Sequence, residues 1–94
     1  MTYETIKKRI EVTLNEVLPL VQIAHPYVTP WELRGVVYDN AMKASWRKYV
    51  KEPFIDNANA HQLRRVYQAA LDLKAKPELW PDWDKKSKLW RSAK

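Results

Sequence analysis

The chain has 94 residues, no cysteine, and 17 basic against 11 acidic side chains, a net charge of +6. That length supports one domain of modest size, able to bury ~60–65% of its unfolded surface. Without cysteine there are no disulfides, thiolate metal sites or Cys nucleophile, and 46% hydrophobic content argues against disorder throughout.

Five Trp and five Tyr are many for this length. Each aromatic buried removes roughly 150–250 Å² from water, so a few of them make a core without staples. The longest apolar stretch, Val17 to Ala24, is interrupted by Pro19 and Gln22 and is too short to span a bilayer. The opening Met-Thr-Tyr-Glu lacks a basic-then-apolar signal pattern. A soluble cytoplasmic protein is expected, with no membrane partner.

The first predicted element is an amphipathic helix from about Tyr3 to Leu18. Tyr3, Ile6, Ile10, Leu14, Val17, Leu18 and Val21 recur at helical spacing, and Glu4 suits the first turn. Pro19 ends or kinks it. The stripe reads as core in preference to a partner-binding face. Pro19, Pro26 and Pro30 then punctuate a connector that should be extended from His25 to Thr29. Its Leu20, Val21, Ile23, Tyr27 and Val28 are expected to lie across the helices and enlarge the core. His25 reads as a surface or hydrogen-bonded residue.

The stretch from Thr29 to Val50 is the predicted central helix. Thr29 caps it, Pro30 suits the first helical position, and Glu32 completes a capping-box pattern. Leu33, Val37, Ala41 and Ala44 line one face; Trp31, Tyr38, Met42 and Tyr49, with Trp46 at the edge, line a second. Only the arc through Glu32, Asp39, Lys43 and Arg47 is polar, so the helix should touch neighbours on two sides. Gly35, the single glycine, costs a helix about 1 kcal/mol against alanine. Close approach of another backbone or a large ring would account for it; a helix break is the alternative.

Glu52-Pro53 stops this helix. In the loop that follows, Asn59 and Asp56 are candidate caps, and Gln62 three residues after Asn59 suggests a capping box. The next helix should run to about Lys76, burying Ala60, Leu63, Val66, Tyr67, Ala70 and Leu71 and turning His61, Arg64, Arg65, Gln68 and Asp72 outward. A helix over 41–51 followed by one from Ala60 would be a loose helix-turn-helix, with a turn of about eight residues in place of the usual three or four. In the tail, Pro77 and Pro81 favour extension, and Asp82 is a candidate cap for a short helix carrying Trp83 and Trp90. Leu79, Trp80 and Trp83 are expected to fold back on the core. Lys85, Lys86, Lys88, Arg91 and Lys94 form a basic end, mobile or docked.

The predicted architecture is therefore a single all-α domain over 1–94, with its core at about 3–83 and a basic tail at about 84–94. It comprises three helices, or three plus a short C-terminal one, a Pro-rich connector and a Trp-bearing tail. Function follows from charge. Residues 1–42 hold four basic and five acidic side chains, residues 43–94 thirteen basic and six acidic. Such asymmetry favours a polyanionic partner, with a solvated basic surface as the plainer reading. Lys43, Arg47, Lys48, Lys51, Arg64, Arg65, Lys85, Lys86, Lys88 and Arg91 are the candidate phosphate contacts. Gln68 with the two arginines is able to address base edges, which favours DNA over RNA. The alternative is a protein-interaction module (a homodimer, adaptor or inhibitor, or one that binds an acidic protein) using Trp46, Tyr49, Trp83 and Trp90. Catalysis finds no support: no nucleophile elbow, no phosphate-cradling glycine loop, no metal-ligand spacing, and two histidines thirty-six positions apart. No enzyme activity, metal or cofactor is expected.

Overall fold

The computed structural model describes residues 2–92, so Lys94 lies outside them. The described chain is all-helical. Its α-helices are α1 (Tyr3–Gln22), α2 (Pro30–Met42), the single turn α3 (Phe54–Asn57), α4 (Ala60–Ala75) and α5 (Trp80–Ser92), with 3-10 turns at Trp46–Lys48 and Pro77–Leu79. No described helix is long and apolar enough to cross a membrane.

Local chemistry accounts for most of the boundaries. Thr2 Oγ1 accepts the Thr5 amide to open α1, and Thr29 Oγ1 accepts the Glu32 amide to open α2. The expected capping box forms at α4: Asn59 Oδ1 accepts the Gln62 amide at 2.8 Å, and Gln62 Oε1 accepts the Asn59 amide at 2.9 Å. Helix α1 runs through Pro19 to Gln22, beyond the predicted stop. Pro19 removes the donor for the Asn15 carbonyl, and both residues face water, which can serve that carbonyl instead.

Helices α1, α2 and α4 pack on one another, and α5 packs on α2. Ile10, Leu14 and Val17 of α1 and Leu63, Val66 and Leu73 of α4 are all fully buried in one core. Helix α2 is central, as its two apolar faces predict, but it is shorter than expected. It stops at Met42 because Lys43 turns left-handed at φ 56°, and the Lys43 and Ala44 amides both return to the Asp39 carbonyl. A non-glycine residue in that region costs roughly 1–2 kcal/mol. The Asp39 side chain offsets this by accepting the Trp46 amide at 2.9 Å and so fixing the turn that follows.

Three expectations change with this stop. The helix over 41–51 does not exist, and with it goes the first arm of a helix-turn-helix. Trp46 swings inward to 4% exposure. There it sets its ring edge-on to the stacked pair Tyr38–Phe54, whose centroids are 4.3 Å apart. Asp39, expected on a watery arc, is fully buried. The connector also departs from prediction. Val21 and Val28 are buried, but Ile23 is 83% and Tyr27 90% exposed.

The tail forms α5 from Trp80, two residues before the predicted cap. Trp80 is buried, and Leu79 and Trp83 pack against the core. Adjacent residues at the end of α2 hold this helix. Asn40 Nδ2 donates to the Trp83 carbonyl at 3.1 Å, while Asp39 Oδ2 accepts both Ser87 Oγ–H and Arg91 Nε–H, the latter at 2.8 Å. The close neighbour of the bare Cα of Gly35 is the Arg91 guanidinium, where a ring or backbone was expected; a Cβ there would require Arg91 Nη2, the free end of a flexible side chain, to shift.

Candidate functional site

The cations predicted to contact phosphate divide into two groups. In α5, Lys86 pairs with Asp82 and Lys88 with Asp84, each at 3.0 Å, and Arg91 is committed to Asp39. Arg47 gives Nε and Nη2 to Glu52 and lies over the Trp46 ring. These four are therefore not free charges, contrary to the expectation of a uniformly basic C-terminal end. The α5 pairs carry a sequence signal, an acid four residues before a lysine, which becomes readable once the helix starts at Trp80.

Lys43, Lys48, Lys51, Arg64, Arg65 and Lys85 are exposed and make no ion pair among the described residues. Lys43 tops the end of α2, Lys48 closes the 3-10 turn, and Lys51 follows it. Arg64 and Arg65 stand one turn into α4. Arg64 and Gln68 line a shallow groove of about 320 Å³ with Tyr67 and with Thr2, Tyr3 and Ile6 at the start of α1. Gln68 Nε2 donates one of its two N–H bonds to Asp72 at 2.9 Å.

The aromatic alternative is redistributed. Trp46 is core, and Trp83 and Trp90 are partly covered; of the four residues expected to form that surface, only Tyr49 is largely exposed. The exposed tryptophan is Trp31, at 73%, in the first turn of α2. The second-face periodicity placed it inward, but no element covers the start of that face.

Trp31 belongs to a groove of about 590 Å³ bordered by α2, the segment around α3, and Arg91 of α5. Its lining includes the buried trio Tyr38, Trp46 and Phe54, and its walls carry ion pairs. Arg34 gives two parallel bonds to Glu11, at 2.6 and 2.7 Å. This pairing holds the Arg34 guanidinium above its already high ordinary range. Burial pushes the Tyr38 phenol up, and the neighbouring Arg34 opposes that only in part.

The sign of the Tyr38 effect is testable. A raised folded-state value means the neutral phenol is favoured by folding, so its contribution is complete below the unfolded value near ~10 and is lost as pH rises beyond it. Denaturant unfolding at pH 9 and pH 11 should show a stability loss that Tyr38→Phe reduces. An equal loss in the variant would contradict this placement.

Among the described residues no cluster of three or more His, Asp or Glu is placed to hold a metal ion. The chain matches no family model, no curated protein and no solved structure.

Proposed function

We propose that this chain is a non-catalytic binding protein that docks a nucleic-acid backbone, duplex DNA foremost, through Lys43, Lys48, Lys51, Arg64 and Arg65. One observation carries the reading: these five cations are exposed and unpaired among the described residues, whereas those of α5 are largely matched by carboxylates. Residues 43–65 hold six basic and two acidic side chains in a chain of net charge +6. Unpaired lysines and arginines displace counterions from phosphates without first leaving a carboxylate. Recognition is of the backbone, so affinity should depend weakly on base sequence.

The proposal separates the two groups of cations by experiment. Arg64→Ala with Arg65→Ala should weaken binding to a labelled duplex by about 10- to 100-fold at low salt, as expected for two lost phosphate contacts. Lys86→Ala with Lys88→Ala should change it less than about 3-fold, because those charges are already answered within α5. Fluorescence anisotropy on both variants is the measurement. Equal losses would mean that pairing does not select the contacts, and no loss in the arginine variant would remove α4 from the interface.

A further inference from the structure

The groove beneath Trp31 carries an inference of its own, independent of the nucleic-acid reading. Its three arginines are spent: Arg34 on Glu11, Arg47 on Glu52 and Arg91 on Asp39. Two carboxylates in its wall, Glu32 and Asp56, have no cation among the described residues and are exposed. In a chain of net charge +6, the uncompensated charge of this one groove is negative. Trp31, largely exposed and part of its lining, adds a ring whose quadrupole attracts a cation.

We propose that the groove is a docking site for a cationic segment of a protein partner. A Lys or Arg of that segment lies against Trp31, within reach of Glu32 and Asp56, and a neighbouring aliphatic side chain rests on the aromatic lining. Size supports this: about 590 Å³ is room for two or three side chains. Its lining supports a peptide segment: four carboxylates and three guanidiniums alternate there with the rings of Trp31, Tyr38, Trp46 and Phe54, a mixture of charged and apolar contacts. Trp and Arg anchors of this kind dominate the energy of protein contacts.

The test uses the full chain, ¹⁵N-labelled, with the Trp31 indole N–H signal assigned by Trp31→Phe. Two peptides are titrated: acetyl-Leu-Lys-Leu-Arg-Leu-amide and its charge-reversed counterpart acetyl-Leu-Glu-Leu-Glu-Leu-amide. The cationic peptide should move the Trp31 signal saturably, and the acidic one should leave it in place. Glu32→Gln with Asp56→Asn, both at exposed positions, should weaken the cationic peptide about 5- to 10-fold. An unchanged affinity in that variant, or equal responses to both peptides, overturns the proposal. So does a Trp31 signal that shifts with protein concentration alone, which assigns the groove to a second copy of the chain.

Discussion

Asp39→Ala is expected to lower the free energy of unfolding by ~3–4 kcal/mol, the largest effect of any single side chain discussed above. The reasoning runs through its partners. Removing the carboxylate leaves the Trp46 amide and the Ser87 hydroxyl without their acceptor, and the carboxylate and Ser87 are both fully buried. Each orphaned group costs roughly 1–3 kcal/mol. Arg91 adds little, since its side chain is 42% exposed and can turn to water. For a domain of this size the midpoint of thermal unfolding should fall by roughly 15–25 °C. Arg91→Ala, by contrast, should cost less than about 1 kcal/mol. Circular dichroism melts of both variants give the comparison. An Asp39→Ala protein within about 1 kcal/mol of the parent would show that the α2 end and α5 are held by packing alone.

What could be read from the residues was what depends on near neighbours. The Asn59–Gln62 cap, the stripe of α1 and part of the stripe of α4 follow from side chains within a turn or two of each other; Leu63, Val66 and Ala70 are buried as expected, but Ala69 and Leu73 complete the face in place of Ala60, Tyr67 and Leu71. The helical class came from the same periodicities. The stop of α2 was not legible, because a left-handed Lys43 has no glycine or asparagine to announce it, and the turn is held by Asp39 through bonds that skip several residues. Gly35 invited a search for a close neighbour, but that neighbour is a guanidinium 56 positions along the chain. Trp31 and Asp39 were misplaced for one shared reason. Helical periodicity assigns faces around a cylinder, and only the tertiary arrangement decides which part of each face another element covers. Helix α5 covers the polar arc at Asp39 and leaves the first turn, with Trp31, open.

The charge asymmetry illustrates the same division at the level of the site. That the excess of cations lies beyond position 42 is plain from residue counts. Which of them are free is a matter of geometry, since Asp82, Asp84, Glu52 and Asp39 each claim one. What survives is Lys85 in α5 and a group of five in residues 43–65, and the size of that group sets the second large prediction. If Lys43, Lys48, Lys51, Arg64 and Arg65 each neutralise one phosphate, the logarithm of the binding constant should fall with the logarithm of salt concentration at a slope of about −4 to −5. Between 50 and 200 mM salt this amounts to a loss of roughly 10²–10³ in affinity. A contact set drawn from all ten candidate cations would give a slope nearer −9, so the value also reports how many are free. An interface centred on aromatic side chains would respond far less.

The most direct measurement is therefore a salt titration of the unmodified protein against a duplex of about 20 base pairs. The account predicts measurable binding at 50 mM salt that collapses by at least about 100-fold at 200 mM. No binding at low salt, or a dissociation constant that changes less than about 3-fold across that range, would contradict it.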